Sequence, residues 1–284
     1  MIDFSGLISE SLSSHSQNIL NNDDDEIITF YISDDVGYSY LDASSINEDN
    51  SINIQKNATK IYSLGTNSSQ ILFINKIIND TDKIIDLDFE RMDHNNGSEI
   101  DIYTVNYSSS MEKDAIGQVI PQVSNGGFWW DILWKTQNQQ SQTLSNNDKH
   151  TFVHEFGHTL GLSHPYEDPF NELWNSSDTI MSYNQSPEGW DTWFSQSDIK
   201  ALISLWGRED DDGSINIDDN SKKYKYKQTY DKKYKVKTDI GFESLDNINF
   251  INFNDKTISI ESDIKSVFNL IEGIDDITGK IYRL

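Results

Sequence analysis

Residues 154–164 read HEFGHTLGLSH, and this stretch holds three of the chain's six histidines. His154 and His158 are four residues apart, so on an α-helix both imidazoles project from one face and can bind one zinc ion. Gly161 tolerates a positive φ, which would let the chain leave the helix and bring back His164 as a third nitrogen ligand. Three imidazoles leave a fourth coordination position open, as in a catalytic zinc site.

Glu155 directly follows the first of these histidines. A carboxylate at this position lies beside the metal without serving as a ligand, and it can take the proton of an activated water. The short pattern HExxH arises by chance in roughly one chain in a hundred of this size, and a lone buried histidine usually serves the core. Gly161 and His164 at their fixed offsets lower that chance to about one in 10⁵, which favours a zinc site.

The pattern around this segment predicts a mixed α+β fold. A helix over Asp148–Leu162 follows the polar residues 145–147 and ends against Gly161, and a helix over Gln196–Trp206 stops at Gly207. The apolar segment Trp129–Trp134 has no clear type. Strands are expected at residues 27–32, 84–89 and 99–105, and an earlier helix at residues 70–79 with Ser68 or Ser69 as its N-cap.

The composition changes after Gly207. Residues 208–220 are mostly acidic and are interpreted as a linker, so the sequence predicts one domain over 26–207 and a small β-rich domain over 208–284. Within the second domain, Lys222–Lys237 contains eight lysines and one acid, in a chain whose net charge is −25. Its alternation of tyrosine and lysine fits either a solvated strand face packed on an acidic body or a surface that binds an acidic partner or polysaccharide.

The acidic balance of the chain excludes several classes of partner and site. Nucleic acid and anionic membrane surfaces bind clustered Lys and Arg, whereas this chain has a pI near 4.3.

There is no cysteine, which excludes disulfides, thiol nucleophiles and cysteine metal sites, and no stretch approaches the roughly 18 apolar residues of a membrane span. The first 25 residues carry no secretory signal and are expected to form a solvated arm or a short pro-segment.

The segment 154–164 resembles the extended zinc motif of the metzincin metalloendopeptidases. Metzincins also carry a methionine turn below the metal, and Thr179–Tyr183 (TIMSY) follows the third histidine here. Pro165 and the MSY form of the turn resemble the serralysins, which are secreted bacterial proteases. Residues 198–207 also resemble the helix that closes the serralysin catalytic domain. The resemblance is specific over 150–207 and extends to 26–149 in pattern only.

The resemblance implies a role for each matching residue and a metzincin-like catalytic domain over 26–207. Glu155 would act as general base and then as general acid, and Met181 would lie under the metal. Tyr183 would bind zinc at rest and move to stabilise the oxyanion when a peptide binds. By residue type alone, Tyr183 could instead be an interfacial tyrosine packed by its ring. The implied zinc ligands are His154, His158 and His164.

The same resemblance places other segments of the chain. Residues 115–120 would form the edge above the cleft, where an extended peptide substrate could add as a β-strand. Trp129, Trp130 and Trp134 are candidates to line the cleft, with a core or surface role as the alternative. The remaining histidines have no identifiable partner and are interpreted as ordinary residues: His15, His94 and His150.

The chain departs from the serralysin pattern beyond the first domain. Serralysins normally continue into a calcium-loaded β-roll of glycine-rich repeats, which this sequence lacks. Carboxylates at Glu209–Asp212 followed by Gly213 are a candidate site for Ca²⁺, although they lack the spacing of a known calcium loop. The resemblance alone implies secretion by a route that uses no N-terminal signal peptide. The chain is interpreted as a short relative or a fragment of a longer protein.

The sequence therefore predicts a zinc-dependent endopeptidase that hydrolyses peptide bonds of protein substrates, with Glu155 as the base. The alternative is a catalytically silent or latent zinc-bearing binding module that acts through its Tyr/Lys-rich C-terminal domain. In the latent version, residues 1–25, or an aspartate from Asp23–Asp25, would cover the metal until trimmed. Cleavage-site preference and oligomeric state stay open.

Overall fold

The computed structural model describes residues 2–20, 26–41, 45–46, 52–53, 58–124, 127–136, 143–209, 214–229, 233–238, 241–245, 248–265 and 281–282. These residues divide into two units, Met1–Glu209 and Asp210–Leu284. The sequence placed its boundary two residues earlier, after Gly207. Among the described residues, no helix combines the length and the apolar character that crossing a bilayer requires.

The first unit contains helices and a mixed sheet, so its fold class is α+β, as predicted. Its helices are α1 (Glu10–Leu20), α2 (Ser68–Asp82), α3 (Asn146–Thr159) and α4 (Gln196–Trp206). Its strands are β1 (Ile27–Ile32), β2 (Val36–Leu41), β3 (Ser45–Ile46), β4 (Ile52–Asn53), β5 (Thr59–Leu64), β6 (Asp88–Met92), β7 (Ile100–Ser108), β8 (Gly117–Ser124) and β9 (Gly127–Trp134).

Strand β7 organises the sheet. Its first half pairs in parallel with β1 on one side and with β9 on the other, and β1 pairs in parallel with β6. Its second half pairs antiparallel with β5, which continues to β2. Strand β8 runs antiparallel to β9 and, among the described residues, pairs with no other strand, so β8 forms an edge of the sheet.

The sheet and the helices share one hydrophobic core. The first six residues of β7 are buried, as expected for a strand covered on both faces. On α3, the rings of Phe152 and Phe156 lie 6.1 Å apart. They also approach Phe73 of α2 and Phe89 of β6, with ring centroids 6.0 and 5.9 Å away. Helix α3 is therefore fixed by aromatic contacts along its buried face.

Local sequence signals locate the helices better than they locate strand β6. Helix α2 begins at Ser68, two residues before its predicted start, because its N-cap is Asn67 and not Ser68 or Ser69. Asn67 Oδ1 accepts from Gln70 N, and Gln70 Oε1 accepts from Asn67 N. The strand expected at residues 84–89 is wrong over its first four residues. Ile84 N and Ile85 N donate to Thr81 O and so continue the end of α2, and β6 begins only at Asp88.

The described N-terminal residues pack into the first unit, which differs from the solvated arm that their composition predicts. Ile2, Leu7 and Ile19 are almost fully buried in the core, and residues 10–20 form α1. Apolar residues at this spacing bury one side of a short helix even where serine and asparagine dominate the composition. The Asp23–Asp25 segment of the latent interpretation lies outside the described residues.

The second unit is built from short strands. They are β10 (Ser214–Ile217), β11 (Lys225–Gln228), β12 (Tyr234–Thr238), β13 (Gly241–Ser244), β14 (Phe250–Phe253), β15 (Thr257–Ser259) and β16 (Ile281–Tyr282). Strands β10, β14 and β15 form one sheet, and β13, β12, β11 and β16 form another.

The lysine-rich segment of the second unit forms part of its four-stranded sheet. Tyr226 and Val236 lie opposite each other in the β11–β12 pair and are buried. The lysines alternate with these residues, so they lie on the opposite face of the sheet. Tyr230 and the carboxylates of 210–212 lie outside the described residues. The lysine pairs across the two strands are Lys225 with Lys237 and Lys227 with Lys235.

Candidate active site

Helix α3 carries the first two histidines of the motif. It begins at a capping box, in which Ser145 Oγ accepts from Asp148 N at 3.1 Å and Asp148 Oδ2 accepts from Ser145 N at 2.9 Å. His154 and His158 follow on one face of the helix, and both side chains are buried. Their ring centroids lie 4.7 Å apart.

A turn at Gly161 returns the chain to these two side chains. The φ of Gly161 is +92°, in the left-handed region that glycine adopts readily. The turn places the His164 ring centroid 5.3 Å from that of His154 and 4.8 Å from that of His158. One nitrogen of each ring lies within 4.8 Å of the others. This three-histidine cluster can hold a metal ion.

The hydrogen bonds of the cluster leave ring nitrogens available for a metal. His154 Nδ1 lies 2.9 Å from Ile180 O, and His158 Nδ1 lies 2.8 Å from Leu162 O. A carbonyl can only accept, so each Nδ1 carries the proton and each Nε2 keeps its lone pair. The Nε2 atoms of His154 and His164 are buried and have no hydrogen-bond partner among the described residues. Zinc would satisfy these nitrogens, because neutral imidazole nitrogen is one of its usual ligands.

The protonation state of the cluster suits a metal. Burial lowers the pKa of His154 well below its usual value, and the neighbouring histidines lower it further. Burial, together with His164, lowers the pKa of His158 to about 3, and burial also lowers the pKa of His164. All three imidazoles are therefore neutral near neutral pH, which is the form that binds metals.

Glu155 lies next to the cluster and faces the edge strand β8. Its side chain is buried, and burial raises the pKa of its carboxyl to about 8. Gly117, the first residue of β8, approaches so closely that a Cβ there would overlap Glu155 Oε1 and contact Thr151 Cγ2. The edge predicted at residues 115–120 thus lies directly beside this carboxylate, and glycine is the residue that its spacing permits.

The turn at Thr179–Tyr183 supports the first histidine from below. The buried carboxylate of Asp198 accepts from Thr179 Oγ1 at 2.5 Å and from Ile180 N at 2.9 Å. The carbonyl of Ile180 in turn faces His154 Nδ1. Met181 is fully buried and belongs to the same core as α3. The start of α4 therefore fixes the turn, and the turn orients a histidine.

Tyr183 lies at the opening of the site. Its ring centroid is 5.2 Å from that of His154 and 5.0 Å from that of His164, and the side chain is 42 % exposed. Burial raises the pKa of its phenol to about 12, and the negative charges of Glu155 and Glu112 contribute. The phenol thus keeps its proton at neutral pH and can donate a hydrogen bond to an anion beside the histidines.

A cavity of about 760 Å³ adjoins the cluster. Its wall includes His150, which precedes His154 by one helical turn and was interpreted from sequence as an ordinary residue. His150 Nδ1 lies 3.0 Å from Asp191 O, and its ring centroid lies 4.5 Å from that of Trp190. The four-residue spacing between His150 and His154 was a sequence signal that His150 lies near the site. No sequence signal pointed to Trp190. The cavity is lined by residues that include Glu112, Gly117, His150, Glu155, Tyr183 and Trp190.

Two of the candidate cleft tryptophans belong to the core instead. Trp130 and Trp134 are fully buried, and their indole N–H groups donate to Ser16 Oγ at 3.2 Å and to Asp148 O at 3.0 Å. Trp129 is half-buried and does not line the cavity. Among the other histidines, His15 lies beside Trp130 with its Nε2 2.9 Å from Trp129 O, and His94 is exposed.

No known protein-family model matches the chain. Part of it is similar to proteins named serralysin: 29 % identical over 90 residues in Photorhabdus sp. (strain Az29), and 32 % identical over 97 residues in Photorhabdus laumondii subsp. laumondii and in Photorhabdus luminescens. Each match covers 31 % of this chain and only 16–17 % of the relative. Over about a third of its length, the chain is therefore similar to serralysin, a metzincin.

Proposed function

We propose that the chain is a zinc-dependent endopeptidase with a metzincin-like, serralysin-like catalytic domain. One observation carries the proposal: buried Nε2 atoms that have no hydrogen-bond partner in the described part of the chain converge beside a buried carboxylate at the wall of a cavity. The partial similarity to serralysin supports the same reaction class. The proposed zinc ligands are the Nε2 atoms of His154, His158 and His164.

Zinc, when bound, supplies Lewis acidity that polarises the scissile carbonyl and lowers the pKa of a water. Glu155 would take one proton from that water while the water oxygen adds to the carbonyl carbon. Glu155 then gives the proton to the amide nitrogen as the carbon–nitrogen bond breaks, so the products are a carboxylic acid and an amine.

Tyr183 and the edge strand would serve the substrate. The protonated phenol of Tyr183 would donate to the oxyanion of the tetrahedral intermediate. Within the described part of the chain, one edge of strand β8 is unpaired, and an extended peptide would bind there through main-chain hydrogen bonds beside Glu155. Binding of this kind tolerates many sequences, which suits protein substrates.

The lysine pairs of the second unit favour a second candidate function. Lys225 lies opposite Lys237, and Lys227 lies opposite Lys235. These lysines lie on one face of the sheet, and a positively charged face suits an anionic partner. This candidate is a zinc-bearing binding module that is catalytically silent. The buried carboxylate of Glu155 beside the cluster favours the enzyme.

Secretion belongs to the proposal through the serralysin resemblance, with export by a route that uses no N-terminal signal peptide. The proposal also includes bound Ca²⁺ near Glu209–Asp212, on the basis of the carboxylates in the sequence.

The test combines metal analysis with cleavage of a quenched fluorescent casein, before and after chelation. We expect one zinc per chain and cleavage that chelation abolishes and zinc restores. Glu155→Gln should keep the zinc and lose cleavage, whereas Glu172→Gln, an exposed control outside the cavity, should keep both. Zinc without cleavage in the unaltered chain would favour the binding module. Cleavage by Glu155→Gln at the unaltered rate would refute the role of the base.

A further inference from the structure

We propose that the N-terminal segment is a clamp that positions the third metal ligand. The N-terminal clamp consists of Leu7–Ser9, which pairs with the turn between α3 and His164, and of Ser16 on α1. The inference rests on the proposed function, because it concerns the same three histidines. It assigns a role in the site to residues that the sequence placed in an arm or a pro-segment.

The main chain of the clamp pairs directly with the turn that carries His164. Ser163 N donates to Leu7 O at 2.7 Å, and Ser9 N donates to Gly161 O at 3.3 Å. Between these bonds, Ile8 lies opposite Leu162 in an antiparallel bridge. The residue directly before the third ligand is therefore held by a segment that precedes it by more than 150 residues.

The same bridge reaches the second ligand. The carbonyl of Leu162 accepts from His158 Nδ1 at 2.8 Å, so Leu162 both pairs with the clamp and sets the orientation of that imidazole. Partners that hold the second ring nitrogen of a metal-binding histidine commonly affect metal affinity by 10- to 100-fold. A shift of the Leu162 main chain would thus disturb two of the three ligands.

Helix α1 fixes the beginning of the turn. Ser16 is fully buried, and its hydroxyl donates to Thr159 O at 2.7 Å and accepts from Trp130 Nε1 at 3.2 Å. Ser13 lies so close to the turn that a Cβ at Gly161 would be 3.0 Å from Ser13 Cα. The helix therefore covers the position at which the chain leaves α3.

The clamp is itself anchored in the core. Leu7 is fully buried, and Ile2 is nearly so. The carbonyl of Ile2 also accepts from Ser197 Oγ of α4 at 3.3 Å. Tyr166 follows the third ligand by two residues, and Gly6 approaches its ring so closely that a Cβ at Gly6 would lie 2.6 Å from the ring. These contacts give the clamp a rigid support, which a segment that positions a ligand requires.

The experiment measures zinc affinity by competition with a chromophoric chelator. Ser9→Pro removes the N–H that bonds Gly161, and the extended conformation of Ile8, with φ −107° and ψ 124°, is one that a residue before proline can adopt. Ser16→Ala removes the hydroxyl between Thr159 and Trp130. We expect either change to weaken zinc binding by about 10- to 100-fold.

The matched control is Ile77→Ala, a buried substitution in α2 within the same core. It should lower the melting temperature at least as much as the clamp variants and leave zinc affinity nearly unchanged. Hydrogen exchange gives a second measurement, because zinc binding and clamp closure must stabilise each other reciprocally. Zinc should slow exchange at Ser9 N and Ser163 N in the unaltered chain.

Three results would overturn the inference. Clamp variants that bind zinc as tightly as the unaltered chain would refute it while leaving the proposed enzyme intact. An equal loss of affinity in Ile77→Ala would show that affinity follows stability rather than the clamp. An unaltered chain that binds no zinc would refute the proposed function and the inference together.

Discussion

Two carboxylates lie side by side inside the first unit and lead to a prediction about stability. Asp101 of β7 is opposite Asp131 of β9, and the two side chains are only 4 % and 2 % exposed. Burial raises the pKa of Asp101 to about 8, and the charge of Asp131 contributes. Hydrogen bonds from Ser98 Oγ and Tyr103 OH limit the rise.

The expected effect follows from linkage between protonation and folding. The pKa of Asp101 rises from 3.8 to about 8 on folding, and each unit of pKa is worth about 1.36 kcal/mol. Below about pH 3, both states keep the proton, and the stability contributed by this group is fully present. As the pH rises, the unfolded chain releases the proton first, so the free energy of unfolding falls until about pH 8, by on the order of 5 kcal/mol.

Asp101→Asn removes this dependence. The variant should match the unaltered chain at about pH 3 and exceed its free energy of unfolding by several kcal/mol at about pH 9. Urea unfolding followed by tryptophan fluorescence measures the difference, because all seven tryptophans lie in the first unit. Asp93→Asn, at an exposed position, serves as the control for loss of a charge. A stability difference for Asp101→Asn that is equal at both pH values would refute the reasoning.

Three further predictions concern the site. Asp198→Asn should lower the free energy of unfolding by about 3–5 kcal/mol, because it breaks buried charged hydrogen bonds, and urea unfolding measures this loss. The same change should weaken zinc binding, because Asp198 holds Ile180, whose carbonyl orients His154, and chelator competition measures the affinity. Tyr183→Phe should lower kcat by about 10²–10³ with KM nearly unchanged, and an unaltered kcat would return this tyrosine to a structural role. Glu112→Gln should lower kcat/KM a few-fold for peptides with Lys or Arg near the scissile bond and spare neutral peptides. That preference should weaken with added salt.

The helices around the site could be predicted because their signals are local. Helix α4 has the predicted bounds, Gln196–Trp206, since its apolar spacing and Gly207 lie within one short window. Helix α3 begins two residues earlier than predicted, because Ser145 rather than a later residue provides the cap. The α+β class also followed from such windows. Caps and periodicity act over a few residues, so one sequence displays them in full.

Contacts between distant segments could not be predicted in the same way. The isoleucines at 84 and 85 have strand-like side chains, yet their amides complete the end of α2. The polar composition of residues 10–20 concealed that Ser13, Ser16 and Ile19 face the core. His150 and Trp190 contact each other at the wall of the cavity, although they are 40 residues apart in the sequence. In each case the deciding partner lies far away in the sequence, and no local pattern specifies it.

Contacts between distant segments also orient the histidines, so the histidine motif alone does not describe the whole site. The carbonyl that orients His154 belongs to Ile180, which Asp198 holds from α4. The carbonyl that orients His158 belongs to Leu162, which pairs with Ile8. The two orienting groups thus depend on opposite ends of the first unit.

The pro-segment interpretation and the N-terminal clamp therefore predict opposite changes in activity when the N-terminal residues are removed. If residues 1–25 covered the metal, trimming them would raise activity and leave zinc affinity unchanged or improved. If Leu7–Ser9 holds the turn before His164, removing it should weaken zinc binding and lower activity with it. The contacts of the described residues favour the second outcome, because Leu7 and Ser9 bond the main chain beside the ligand. Trimming in stages separates the two: loss of the first residues up to Gly6 should matter less than loss that extends through Ser9.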